Sequence, residues 1–296
     1  MPCYHPMPAV RMRDGSVKFV SRSKRGVEGD LSLPCGQCVG CRLERSRQWA
    51  MRCVHESTLH ENNAFITLTY ADEHLPQSRS LVYEHYQKFM KRIRKRTGVK
   101  MSFYVGGEYG EQEGERPHFH ACLFGFDFPD KVYFKKSEMG ILYTSKLLES
   151  LWPFGHSSTG AVTFESAAYI ARYCMKKVNG DLAKKHYEYV DEFGEIHDRL
   201  PEFNHMSLKP AIGKRWLEKF RTDVYPRDYV VLRGVKTKPP KYYDRLFKEE
   251  DPGTFSELVA QREADAELLL SDNSYARLAV KETVVQARVS LLKRSL

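Results

Sequence analysis

Two histidines one residue apart, His118-Phe119-His120, carry the first chemistry that this sequence suggests. On a strand, side chains at i and i+2 share a face, so both imidazoles can reach one metal ion. Further along, Tyr169-Ile170-Ala171-Arg172-Tyr173-Cys174-Met175-Lys176-Lys177 puts two phenols at helical i, i+4 spacing, on one face. A hard metal beside two tyrosine nucleophiles is a set of parts for breaking and rejoining a phosphodiester. A phenol with an ordinary pKa near 10 needs activation, by a metal on the phosphate and by cations beside the oxygen. Arg172 follows Tyr169 by three residues and Lys176 follows Tyr173 by three. Lys177 follows Tyr173 by four and can share the tyrosine face. Lys176 and Lys177 also stand where a helix dipole favours cations, which is the purely structural reading of the same residues.

The histidines need a hairpin to position them. Strands at 101–109 and 117–126 flank a glycine- and charge-rich turn, and a hairpin centred near Glu113 sets Glu108 opposite His118, with Cβ atoms roughly 5 Å apart. Glu108, His118 and His120 would then hold Mg²⁺ or Mn²⁺ with positions open for substrate oxygens. A bulge would let Glu111 replace Glu108. The alternative is a solvent-facing histidine pair beside the acids Glu111, Glu113 and Glu115.

Around the hairpin, the pattern predicts helices at 42–60, 81–96 and near 145–152, and strands at 64–70 and 160–164. The tyrosine helix should stop at Asn179-Gly180. Residues 1–34 read as irregular and 181–204 as loop-like. A short helix at 214–222, a strand at 229–232 and a helix from Lys241 follow, and 255–296 reads as a long helical tail that either binds a partner or braces the fold. The expected divisions are a Cys-rich segment and helix at 1–61, a central domain at 62–245 and the tail at 246–296.

Cys35, Cys38 and Cys41 at C-x₂-C-x₂-C spacing need a fourth ligand to close a structural Zn²⁺ site. Cys53 would lie about 18 Å beyond Cys41 on a continuous helix, so Cys3 is the better candidate, with His5 second. An iron–sulfur cluster or incidental thiols are the alternatives. Cys53, Cys122 and Cys174 stand in apolar stretches and read as core. An odd total of seven cysteines argues against a secreted disulfide framework and for a reducing cytoplasm.

The net charge of +9 points to a polyanionic partner. Residues 86–100 hold seven Lys or Arg and no acid, so Lys88, Lys91, Arg92, Arg94, Lys95 and Arg96 could contact phosphate, as could Arg172 and Lys176. A solvated helix face is the alternative. Tyr70, Tyr104 and Tyr109 could stack unpaired bases or fill the core. No apolar run is long enough to span a membrane. No Walker-type phosphate loop is present, so any duplex unwinding would fall to another protein.

Three motifs now stand in order: Phe65-Ile66-Thr67-Leu68-Thr69-Tyr70, then Gly107-Glu108-Tyr109-Gly110 with Arg116-Pro117-His118-Phe119-His120, then Tyr169-x-x-x-Tyr173. The sequence resembles the HUH endonucleases of rolling-circle replication, and among them the initiators of microviruses of the gokushovirus type. Cys3-Tyr4-His5-Pro6 and the cysteine triplet belong to the same resemblance, which covers residues 1–245. It implies an α+β fold, with a central antiparallel sheet of about five strands (RRM/palm-like) flanked by helices on one side. It implies His118 and His120 as metal ligands, Glu108 as the acidic ligand, and Tyr169 and Tyr173 as nucleophiles. One tyrosine would cut single-stranded origin DNA, giving a 5′-phosphotyrosine link and a free 3′-OH, and the second would cut again so that the strand closes. The resemblance also implies action in the cytoplasm of a bacterial host, beside a host helicase and replication proteins. A related transposase or relaxase is the nearer alternative, and a non-catalytic, zinc-stabilised nucleic-acid-binding protein the more distant one.

Overall fold

β-Branched and aromatic residues dominate 63–69, and Phe119, Ala121, Cys122, Leu123 and Phe124 make 117–124 largely apolar, the compositions of buried strands. Both segments are strands in the computed structural model, which describes residues 3–14, 16–20, 31–110, 115–137, 140–173, 177, 182–191 and 193–291. In chain order the first elements are β1 (Met7–Arg11), β2 (Val17–Phe19), β3 (Leu31–Leu33), α1 (Val39–Ser57), β4 (Asn63–Thr69) and α2 (Tyr83–Thr97). Next come β5 (Ser102–Tyr109), β6 (Pro117–Phe124), β7 (Val132–Ser137), β8 (Gly140–Thr144), α3 (Lys146–Leu151), β9 (Ser157–Gly160) and α4 (Phe164–Tyr173). The chain continues through α5 (Leu182–Tyr187), β10 (Glu188–Val190), β11 (Ile196–Asp198), β12 (Phe203–Met206), α6 (Lys214–Val224), β13 (Val230–Leu232) and β14 (Val235–Thr237). It finishes with α7 (Lys241–Glu250), α8 (Pro252–Glu267) and α9 (Tyr275–Ser290).

Contacts group the chain into two compact units, one built from residues 1–45 with 250–295, the other from 46–249. The second holds an antiparallel sheet which, among the described residues, has seven strands in the order β12-β5-β6-β4-β9-β8-β7. The fold is α+β, as expected. Its sheet exceeds five strands because residues 132–144 form a hairpin that extends one edge.

One sheet face presents Ile66, Leu68, Val105, Phe119, Ala121 and Leu123 to Tyr86, Phe89, Met90 and Ile93 of α2 and to Leu148 and Leu151 of α3. The opposite face presents Phe65, Tyr104, Cys122 and Phe124 to Ala50 and Cys53 of α1 and to Ala167, Ile170 and Ala171 of α4. Helices therefore cover both faces rather than one. The alternation of apolar residues along β4 and β6 requires this, since both sets are buried.

Four further expectations change. The strand placed at 160–164 ends at Gly160, because Thr163 and Ser166 exchange N–H···O bonds in a capping box that starts α4 (2.8 and 3.1 Å). The irregular N-terminus contains β1, β2 and β3, short strands between its Gly and Pro breakers. Residues 182–206 form α5, the β10–β11 hairpin and the edge strand β12 rather than a loop. The helical tail is two helices divided by a turn at 268–274, where Asp272 binds Arg277 and Lys281. The predicted helix stop at Asn179-Gly180 lies outside the described residues, as do Glu111, Glu113, Cys174 and Lys176.

Candidate metal and nucleophile site

The β5–β6 register pairs Glu108 with His118, the partner given by a hairpin centred on residue 113. β6 is flanked on its other side by β4, which sets Thr69 beside His118 and Thr67 beside His120. Glu108, His118, His120 and Thr67 thus share one face near the middle of the sheet. There the apolar layer beneath α1 and α4 gives way to polar side chains.

Both imidazoles aim Nε2 at a single carboxylate oxygen. Glu108 Oε1 lies 2.7 Å from His118 Nε2 and 3.0 Å from His120 Nε2. The other ring nitrogens are held from behind. His118 Nδ1 donates to the Arg116 carbonyl at 3.0 Å, and His120 Nδ1 is 2.9 Å from Thr67 Oγ1. A carbonyl only accepts, so His118 carries its proton on Nδ1 and keeps the Nε2 lone pair. With Nδ1 of His120 donating to the hydroxyl, its Nε2 lone pair points to the same place. Two lone pairs and a carboxylate oxygen facing one another repel unless a cation lies among them. That donor set fits a hard or borderline divalent ion.

Glu108 is 1% exposed and His120 fully buried, whereas the His118 side chain is 14% exposed, so the cluster opens to solvent on the His118 side. Burial pushes the Glu108 carboxyl up, but protons on the two facing Nε2 atoms, standing where a cation would otherwise lie, outweigh it and leave it below the ordinary carboxylate value.

His120 is stacked on Phe65, with ring centroids 5.7 Å apart, and meets the Tyr169 ring edge-on at 5.0 Å. α4 brings Tyr169 there because Gly106, between Tyr104 and Glu108 on this face, has no side chain. A Cβ on Gly106 would stand 2.9 Å from Ile170 Cγ2 and 3.2 Å from Asn204 Nδ2. Asn204 on β12 donates to the Ile170 carbonyl at 3.2 Å, which satisfies an acceptor in the last turn of α4.

The comparisons with known proteins bear on this same stretch. The family model for replication-associated protein ORF2/G2P matches residues 63–178, from β4 through α4. Replication-associated protein VP4 of Bdellovibrio phage phiMH2K is 33% identical over 271 residues, spanning 88% of this chain and 82% of its own. This chain belongs to that family of phage replication-associated proteins. Replication-associated protein ORF2 of Spiroplasma virus 4 is 32% identical, with 88% of this chain and 84% of that protein covered. Replication-associated protein ORF4 of Chlamydia phage 1 is 34% identical over 73% of this chain and 54% of its own. No solved structure matches the chain.

The remaining predicted residues of this family member fall in several places. Tyr173 ends α4, one turn beyond Tyr169, and its side chain lies outside the described residues. Arg172 is half-buried on the same helix, and Lys177 is exposed beyond it. Lys88, Lys91, Arg94, Lys95 and Arg96 are exposed on α2, which packs on the sheet face opposite the Glu108–His118–His120 cluster. Arg92 turns inward and donates Nε to the Leu151 carbonyl at 2.9 Å. Tyr70, Tyr104 and Tyr109 are buried: Tyr104 stacks on Trp49, and Tyr109 donates to the Leu200 carbonyl. Among the described residues, no helix is long and apolar enough to cross a membrane.

Sequence reasoning assigned no role to Thr67, Gly106 or Asn204. It also missed a cleft of about 430 Å³ beside the cluster, lined by Thr67, Thr69, Ser158, Thr144, Lys135 and Phe134 among others. The alternation Thr67-Leu68-Thr69 signals hydroxyls on one face, but only the β4–β6 register shows that this is the histidine face.

Proposed function

We propose that this protein starts rolling-circle replication by nicking and rejoining single-stranded origin DNA. Tyr169 makes the first cut and Tyr173 the second. The observation that carries the reading is the convergence of both Nε2 atoms on Glu108 Oε1, with the Tyr169 ring against His120. Glu108, His118 and His120 would hold Mg²⁺ or Mn²⁺, which supplies Lewis-acid polarisation of the scissile phosphate. The Tyr169 phenolate oxygen attacks phosphorus, the bond from phosphorus to the 3′ oxygen breaks, and the phenol proton ends on the departing 3′-OH. The product is a 5′-phosphotyrosine ester and a primer end. Attack by a later 3′-OH on that ester reverses the step and closes the strand. Arg172 on the nucleophile helix and Lys177 beyond it supply positive charge for the phosphate.

The cleft supports a path for the strand. It shares Thr67 with the cluster, and its far wall carries the exposed ring of Phe134 and the Lys135 ammonium. An aromatic face and a cation along a hydroxyl-lined floor suit an unpaired strand. The cations of α2, on the opposite face, suit flanking DNA. A transposase or relaxase would use the same parts on a different target sequence, and the family membership favours the replication reading.

Labelled single-stranded oligonucleotides tiling the viral genome, incubated with the protein and Mn²⁺, test the proposal. Wild type should form an adduct that survives denaturation on the fragment bearing the origin. The adduct should vanish in the double variant Tyr169→Phe/Tyr173→Phe and in His120→Ala. Survival in every variant would overturn the site. Tight DNA binding by wild type without any adduct would favour a non-catalytic binding protein.

A further inference from the structure

The unit formed by residues 1–45 and 250–295 has almost no hydrophobic interior among its described residues. Among its described residues the buried hydrophobic side chains are Cys3, Ala9, Cys38 and Leu278. No residue of α8 is buried and only Leu278 of α9 is. A unit so poor in core needs another source of stability, and two of its four buried hydrophobics are cysteines of one cluster.

The thiol sulfurs of Cys3, Cys35, Cys38 and Cys41 all lie within 4.8 Å of one another. Cys38 Sγ is 3.9 Å from Cys3 Sγ. That separation is nearly twice a disulfide bond, and all four cysteines are free. It matches the edge of a tetrahedron with metal–sulfur bonds of about 2.3 Å, which is about 3.8 Å. The backbone is folded around the sulfurs as well. Tyr4 N–H donates to Cys38 Sγ at 3.4 Å, Cys35 N–H to Cys3 Sγ at 3.2 Å, and Gln37 and Cys38 N–H to Cys35 Sγ at 3.5 and 3.3 Å. Amides aimed at sulfur stabilise thiolate rather than thiol. Gly36, at φ +74°, makes the tight turn this arrangement requires.

The topology explains how residues so distant in sequence meet. β1 pairs with β3 so that Met7 faces Leu33, which brings the segments holding Cys3 and Cys35 to the same end of the ladder. Cys41 lies in the first turn of α1, and Cys38 immediately precedes that helix. His5, the other candidate fourth ligand, is engaged elsewhere, with Nε2 2.7 Å from Glu282 Oε2.

We propose that these four thiolates hold one Zn²⁺ ion that clasps the N-terminal arm to β3 and the first turn of α1. The ion takes the place of the hydrophobic core this unit lacks. Four sulfur ligands select a soft tetrahedral metal, which separates this site from the carboxylate–imidazole cluster. A closed set of four protein ligands makes it structural, with no position for substrate.

Metal analysis of the purified full-length chain should find about one zinc per chain. Cys3→Ser and Cys38→Ser should each retain less than a fifth of that, while Cys53→Ala, in the core of the other unit, keeps all of it. Co²⁺ exchanged into wild type should give the intense sulfur-to-cobalt absorption of a tetrathiolate, a readout that does not depend on any variant folding. Stripping the ion with a mercurial thiol reagent should expose the N-terminal arm to proteolysis at least tenfold faster. Wild type without bound metal, iron in place of zinc, or full zinc retention by Cys3→Ser would each overturn the proposal.

Discussion

Each side chain of the Glu108–His118–His120 cluster is fixed from two sides. His118 is held between the Arg116 carbonyl and Glu108, His120 between Thr67 and Glu108, and Glu108 by both rings. Partners behind metal-binding imidazoles set the tautomer and orient the ring, and losing one typically weakens metal affinity about 10–100-fold. Thr67→Val keeps the shape and removes the hydroxyl. Its Mn²⁺ dissociation constant, by titration calorimetry, should rise at least tenfold with the fold unchanged. Equal affinity in variant and wild type would show that Thr67 does not orient His120. The ease of reading these residues from sequence follows from their separation. Glu108 could be matched to His118 because a hairpin joins them, and simple counting gives the partner. Thr67 reaches His120 through the register of two strands that are not consecutive in the sheet's connectivity, which counting does not supply.

At the scale of elements, the distance between α4 and the sheet decides whether Tyr169 reaches the cluster, and Gly106 sets that distance. A methyl at residue 106 would press on Ile170 Cγ2, so the helix must lift or Ile170 must leave its rotamer. Overpacking of this kind costs about 1–3 kcal/mol. Gly106→Ala should therefore unfold at lower urea concentration and form the covalent adduct at least tenfold more slowly, while binding Mn²⁺ normally, since the added methyl meets Ile170 and Asn204 first. A variant with wild-type adduct rate would mean that α4 placement does not limit nicking. Elements with one buried face were legible for a physical reason: α2 repeats Tyr86, Phe89, Met90 and Ile93 because those positions meet the sheet. The β7 strand was not, since Val132 through Lys136 are all exposed and burial imposes no alternation on them. That strand nevertheless supplies Phe134 and Lys135 to the cleft.

Across the whole molecule, positive charge is spread over more than one face, and stability depends on groups far from the cluster. α1, α6 and α7 meet around His55, whose ring stacks on Trp216 at 3.5 Å and whose Nδ1 is 2.9 Å from Tyr243 Oη. On the same helix Arg52 lies between the rings of Trp49 and Tyr242 and donates to the Ile212 carbonyl, and Glu56 accepts from the Gly213 amide. Apart from Arg52 with Trp49, one helical turn away, none of these pairings was visible in the sequence, because each joins residues more than 150 positions apart. Burial lowers the His55 pKa to about 3. The sign of the consequence follows. Above the ordinary imidazole value of about 6.5, neither state takes up a proton and the full stability is present; below it, the unfolded chain gains a proton that the native state refuses until about pH 3. Stability is lost as pH falls across that window, by about 2 kcal/mol at pH 5 from this residue alone. Trp49, Trp152 and Trp216 all lie in the 46–249 unit, so tryptophan fluorescence in urea follows its unfolding. The loss of stability between pH 7.5 and 5.0 should be about 2 kcal/mol smaller in His55→Phe than in wild type. The same loss in both proteins would show that acid destabilisation arises from other groups.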